Sequence, residues 1–583
     1  MMNRRMSLFL QELNYMRQLA QEAGKEHPHL AGFLSEGAGD PDAERAIQVY
    51  ALLASRLRYK IEDDFPEVTL NMLTHIWPQA LRPLPPTSLV QFSPQEGHHL
   101  GVATLPAGTS VFTGEGEQEI RFETCCPLHI EPLTVIDRQL SATAEYSEIT
   151  LTLRCSGNTL EWRSQPLHFF LGRDREQAAQ LALWLDFHLC DIQLRTQGKT
   201  VTLNDSYPVS ALWGTERQVA ILPSGENSPF SILQLMTEYY YFPHVHDFVT
   251  IDITEGCSSV ALNADRTFEL ILQFESSLEL TDIAQTFLLD CVPVRQLEPM
   301  TSAAIPVNSG ISDYDIPLNP TERLFNLDHV YVSTEPKLER GQPYRYLPVE
   351  KSTLTSHFLP NAEFLYYYQL NTECDILQHT RYQLRFFDCH GKTADNLPSQ
   401  SIFCQFTGYQ SQATDLGIGD INLAGENATG LTVSNITPVS ACYPSMIEER
   451  SAWPLISCFA GSPWIIFQTR SLQEFLKIFD FSPDQALSRR IQSHISGIVR
   501  LENIPIDRLD KGVPVRGHQL ILTLNPDCFA NQGEMYQFSL VVTRLLTVFI
   551  SMGAFLMMKV IDGQTGEVLW DFQEMMFGLR PYI

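Results

Sequence analysis

From Thr87 onward the chain is written in short apolar runs broken by turn residues, and this punctuation constrains the fold most. SLVQF, ATLPAGTSVF, IRFETCC, EITLTLRC, KTVTLN, DFVTIDI, FELILQF and TFLLDCVPV are β-branched or aromatic stretches separated by Gly, Pro, Asn, Asp and Ser. Runs this short bury one face each and need neighbours to pair with. They predict strands joined mostly antiparallel. Two helices interrupt them, Arg175 to Leu185 and Ser231 to Pro243. The fold class expected is α+β.

The first eighty residues follow another rhythm. Asp40 is a helix N-cap, Pro41 fits the first helical position, and Asp42 and Glu44 sit at the positive end of the dipole. Pro66 ends the run. Within it Ala43, Ile47, Tyr50, Ala54, Leu57 and Ile61 recur at heptad-like spacing. Phe9, Leu13, Met16, Ala20 and Ala23 repeat the device, and Gly24 to Gly39 is a polar loop between the two. These residues predict an N-terminal helical hairpin or bundle. Phe9, Leu13, Met16, Ala20, Ile47, Tyr50, Ala54 and Leu57 are its expected packing positions, against their own domain or against another chain. A third short helix is expected over Glu67 to Ile76.

A chain of 583 residues exceeds one compact core. WPQALRPLPP, Trp77 to Pro86, reads as a boundary, and the Ser-, Pro- and Asn-rich stretch from Thr301 to Pro320 as a looser one. The expected division is a helical segment 1–86, a β-rich middle domain 87–310 and a C-terminal α+β domain 311–583. In the last, a helix is expected at Ser471 to Phe479, another around Tyr536 to Phe549, strands near Gln519 to Leu524 and a strand pair ending at Trp570. Gly408 to Gly430 reads as a long loop.

Asp and Glu number 68 against 40 Lys and Arg, a formal net charge of −28. Such a surface repels phosphate backbones and anionic lipid, so neither nucleic acid nor direct membrane insertion is expected. The longest greasy stretch, Leu545 to Met558, is shorter than the roughly twenty residues a span needs, and reads as a buried helix running into a strand. NRRMSLFL has twin arginines, but its apolar run stops at Gln11. The 12 cysteines lack C-x-x-C spacing and are expected as free, mostly buried thiols in a cytoplasmic protein.

Catalytic signatures are missing from the sequence. It holds no phosphate loop, no dinucleotide fingerprint, no nucleophile elbow and no H-E-x-x-H. His244 and His246 would share one face of a strand, as a metal site needs, but no ligand set surrounds them, and surface or loop histidines are expected. No metal or other cofactor is expected, and no enzyme. Two other readings remain open: a hydrolase with a site dispersed over loops, and a monomeric ligand-binding β protein.

Several motifs occur together in order: ELNYMR at Glu12 to Arg17, HPHLAGFL at His27 to Leu34, DPDAER at Asp40 to Arg45, SRLRYKIEDDFPE at Ser55 to Glu67 and PQALRPLPP at Pro78 to Pro86. LPAGTSVFTG, LQLMTEYYYFP, LLDCVPV and WPLIS follow further on. In this series the chain resembles the TssF (VasA, ImpG) family of type VI secretion baseplate subunits. It departs from the family where FPHVHDF replaces F-P-E-K-F, at FCQFTGYQSQATDLG and at CFAGSPWIIF. The resemblance implies a structural wedge component with no catalytic role. Two TssF copies would join one TssG in a helical bundle. TssK would link the wedge toward the inner membrane, and TssE and the sheath would lie on the other side, around the VgrG–Hcp tube.

Overall fold

The computed structural model describes residues 9–19, 42, 45–55, 73, 77–94, 103–114, 119–143, 145–155, 166–196, 199–203, 209–210, 221–222, 232–254, 266–281, 283–307, 311, 313–332, 345–349, 365–374, 380–388, 401–425, 428, 430–446, 455–456 and 463–578. Mixed secondary structure with mostly antiparallel sheets and few helices is what it shows. The N-terminal segment is described as two helical stretches, 9–19 and 45–55. The loop between them, and all of the expected third helix except Leu73, lie outside the described residues.

The expected strand runs pair as short half-buried strands do. Thr87–Pro94, Ser110–Thr113, Arg121–Thr124 and Cys291–Arg295 meet Ile421–Ala424 and Leu431–Asn435 in one six-stranded antiparallel sheet. Leu133–Ala142, Ser147–Cys155, Thr267–Phe274, Leu189–Thr196 and Lys199–Thr202 make a second sheet of five. The Ser147–Cys155 strand alternates buried and half-buried residues along nearly its whole length, as a sheet with one inward face requires.

The stretch expected as a long loop from Gly408 to Gly430 is instead partly structured. Gly408 lies within the strand Ser401–Gln410, and Ile421–Ala424 is one of the two outer strands of the six-stranded sheet. Glycine is required at 408 by space, because a Cβ there would stand 2.8 Å from the Arg323 carbonyl oxygen. Fully buried Ile421 anchors the outer strand. Two strands of the six-stranded sheet, Cys291–Arg295 and Ile421–Ala424, thus bracket an insertion. The inserted segment carries its own strands, from Glu298–Thr301 to Ser401–Gln410, and its own core around Tyr314, Leu384, Phe386 and Phe406.

The largest core runs across the chain. It gathers Trp77 and Leu84, the middle residues Leu151, Phe169 and Tyr239, and the C-terminal residues Leu476, Phe538 and Leu545. WPQALRPLPP is part of it: Pro78–Leu81 is a short 3-10 turn, and Leu84 pairs with Tyr443 across an isolated bridge. The greasy stretch from Leu545 runs, as its sequence suggests, from a buried helix (Gln532–Leu546) into a strand (Phe555–Asp562). That helix links the parallel pair Val513–Leu524 and Phe555–Asp562, a crossover that parallel strands need.

Candidate interaction surface

Helix 45–55 draws on the sequence AIQVYALLAS, apolar nearly all round. A helix of that kind is stable only when covered on every side. In this chain it is covered on one. Ala51 and Ser55 are buried, with Ile47 and Ala54 half-buried beside them. On a projection of 3.6 residues per turn these share one stripe. Val49, Tyr50, Leu52 and Leu53 point elsewhere and are exposed, Tyr50 by 65%. Helix 9–19 behaves alike. Leu13 is buried, Phe9 and Met16 are half-buried, and Leu10, Tyr15 and Leu19 stand exposed at its flanks.

Five of the eight expected packing positions therefore line covered stripes (Phe9, Leu13, Met16, Ile47 and Ala54), whereas Tyr50 lies on the open side. Ala20 and Leu57 lie outside the described residues. The heptad reading missed Ala51 as the centre of the covered stripe and missed the exposed group of Val49, Leu52 and Leu53. The signal was available, since an unbroken apolar run in a helix has no solvent face to offer.

The histidine pair sits where the strand reading did not place it. Pro243–His246 is a 3-10 turn between a helix and a strand, so the loop position holds and the shared strand face does not, while His246 is buried rather than at the surface. Phe242 caps the helix Gln234–Tyr241, its N–H donating to the Glu238 carbonyl, and Pro243 opens the turn directly after it. His244 Nδ1 lies 3.3 Å from the fully buried carboxylate of Asp247, which accepts from Gln537 Nε2 at 3.2 Å. Among the described residues no cluster of three or more His, Cys, Asp or Glu is arranged to hold a metal ion.

Asp247 borders the most polar part of the core. Glu534, in the first turn of the Gln532–Leu546 helix, is almost wholly buried. Asn531 caps that helix by accepting from the Glu534 N–H at 2.8 Å, and the Glu534 carboxylate accepts from the Ala530 N–H at 2.7 Å. The same carboxylate receives two nitrogens of Arg490, Nε at 2.9 Å, and faces His494 Nε2 at 3.5 Å. Burial alone would raise the Glu534 pKa. The hydrogen bond from His494, the charge of Arg490 and the Ala530 N–H outweigh it and hold the carboxyl well below the usual range. Arg175 lies over the Tyr239 ring at 4.8 Å, and the Tyr239 hydroxyl donates to the Glu534 carbonyl at 3.4 Å. The arrangement joins the helices Arg175–Leu183, Gln234–Tyr241, Gln485–Ser496 and Gln532–Leu546. Its ionisable groups are tied to one another, which suits a structural joint.

Cys125, Cys126, Cys155, Cys190, Cys291, Cys404, Cys442 and Cys528 are free. Cys155, Cys291 and Cys404 are buried, but Cys125, Cys126, Cys442 and Cys528 are only half-buried and Cys190 is exposed, so burial is less general than the sequence suggested. No helix of the described residues is long and apolar enough to cross a membrane.

The family model described as "Type VI secretion system, TssF" matches residues 1–578, and the chain belongs to that family. A curated relative from Pseudomonas aeruginosa, "Type VI secretion system component TssF1", is 23% identical over 639 residues, with 99% of each chain covered. Two solved structures share the fold. One, titled as the TssK-TssF-TssG baseplate subcomplex of the type VI secretion system, matches a chain with a TM-score of 0.69 at 20% identity, covering 92% of this chain and 99% of that one. The other, titled as the baseplate complex from the type VI secretion system, matches with a TM-score of 0.57 at 18% identity, covering 98% and 100%.

Proposed function

We propose that this chain is a structural component of a type VI secretion baseplate wedge, in which two copies assemble with one TssG. The observation that carries this reading is the uncovered apolar surface of helices 9–19 and 45–55, which a partner helix would cover. Family membership and the titles of the two similar structures, which name TssK and TssG, support the choice of partners. In this reading the expected N-terminal helical bundle forms in the assembly, from helices of both copies and of TssG. TssK lies toward the inner membrane, and TssE, the sheath and the VgrG–Hcp tube complete the surroundings. The wedge would sit on the cytoplasmic side of that membrane. The chain's role is to hold partners in place, with no chemical step of its own. Residues 1–86, 87–310 and 311–583 remain our working division into units, with the large core as the bond between them.

The test is charge insertion on the open face. Tyr50→Asp and Leu53→Asp, made separately in chain co-expressed with tagged TssG, are expected to abolish co-purification while leaving the circular-dichroism spectrum of the chain unchanged. Retention of TssG at the wild-type level by both variants would remove these helices from the interface.

A further inference from the structure

The turn 286–290 is a meeting point. It leads into Cys291–Arg295 of the six-stranded sheet, and Leu288 bridges Phe170 of the three-stranded sheet. Arg138, on the Leu133–Ala142 strand of the five-stranded sheet, holds the turn by donating to the carbonyls of Thr286 at 2.5 Å and Phe287 at 3.2 Å. Two non-glycine residues in the turn have left-handed backbones, Phe287 at φ 50° and Asp290 at φ 58°. For Phe287, which carries a Cβ, that conformation is strained.

Two carboxyl groups lie buried in this joint. Asp290 is 9% exposed and Glu131 5%. Both carboxylate oxygens of Glu131 are shut off from solvent and have no hydrogen-bond partner. The Glu131 backbone N–H and the Glu131 charge both act on the Asp290 carboxyl. An ionised Glu131 in such a place has nothing to offset its desolvation.

We propose that at least one of the two buried carboxyls, Glu131 and Asp290, is held protonated and that the 286–290 turn is a pH-gated joint among three sheets. Protonation turns one carboxylate into a neutral acid, so a single negative charge, at most, remains. Loss of that proton leaves two like charges in a dry, strained turn and favours its opening. Burial pushes Glu131 up to about 7. Burial also drives Asp290 well above its ordinary value, the Glu131 N–H working against it and the Glu131 charge with it. The other titratable and charged groups around the pair do not neutralise it. Cys291, next in sequence, is a buried thiol held far above its usual range, first by burial and then by Asp290. Arg173 acts on Cys291, and the Arg138 guanidinium is engaged by carbonyl groups. The sign follows: folded-state values are raised, so the joint is most stable below the ordinary carboxyl range and loosens as pH rises through about 7.

The test is hydrogen–deuterium exchange of the full chain between pH 5.5 and 8.5, corrected for the intrinsic pH dependence of exchange. In the wild type, protection of amides 286–292 should fall by about tenfold for each pH unit up to about 7, where the open joint has lost the proton and the closed one keeps it, and should level off above about 7. Glu131→Gln, neutral at every pH, should keep its protection across the range. Asp290→Asn is a second variant suited to a positive φ, and it should flatten the profile as well. Flat protection in the wild type, or an unchanged fall in whichever variant folds, would overturn the proposal. So would recovery of wild-type protection at pH 8.5 on adding Mg2+ or Ca2+, since a cation and not a proton would then be the neutralising partner.

Discussion

Removal of the Glu534 carboxylate should be among the most damaging single changes in the core. Glu534→Ala leaves Arg490, His494 and the Ala530 N–H without their shared acceptor. Breaking a buried ion pair from one side costs about 3–5 kcal/mol. The Arg490 side chain is 37% exposed, so water can recover part of its loss, and about 2–3 kcal/mol is the better figure for the pair. The lost acceptor for the Ala530 N–H adds about 1 kcal/mol. The total expected is about 3–4 kcal/mol. A denaturant-unfolding cycle with Glu534→Gln, Arg490→Met and the double variant isolates the pair. A coupling of about 2 kcal/mol is expected. The pH dependence has a definite sign. The folded value of Glu534 is depressed, so its contribution is present above the ordinary value of 4.5 and is lost as pH falls below it. Wild-type stability should therefore drop more steeply in acid than that of Glu534→Gln. A coupling below about 0.5 kcal/mol, or parallel acid profiles, would refute the reasoning.

Three further outcomes are expected. Gly533→Ala should destabilise by about 3 kcal/mol in thermal unfolding, because its Cβ would stand 2.4 Å from the Ala179 carbonyl where two helices cross. Gly512→Ala, in an open turn with φ +84°, should cost only about 1–2 kcal/mol through its backbone. Comparable losses at the two glycines would mean that close helix approach is not what constrains Gly533. Tyr241→Phe should cost about 1–3 kcal/mol, since its hydroxyl donates to Phe479 O at 2.9 Å and accepts from the Phe481 N–H at 3.1 Å; an unchanged midpoint would show that those groups find other partners.

Legibility in the sequence followed the range of the forces involved. Strands with one inward face announced themselves by alternation, as at Ser147–Cys155, and the helix-to-strand passage after Leu545 by sheer apolarity. The hairpin strand Ile498–Asp510 gave no such signal. Its far half is exposed and charged, and Pro505 argues against a strand. The burial of the histidine turn was not legible because it depends on packing: Val245 and His246 are buried, Val245 in a core that gathers distant segments. The inserted unit was hidden for a related reason. Strands Cys291–Arg295 and Ile421–Ala424 share a sheet across more than a hundred residues, and local pattern holds no record of such pairing. On helix 45–55 the seam spacing did not separate the covered side from the open one, since Ile47 and Ala54 are half-buried and Tyr50 is exposed. The open side of helix 45–55 became plain only when exposure could be seen.

The central claim, a wedge of two copies of this chain with one TssG, is tested most directly by the native mass of the complex formed when the two are co-expressed. The account predicts one species whose mass is that of two copies of this chain plus one TssG. A chain that stays monomeric beside TssG, or a complex of any other stable ratio, would contradict it.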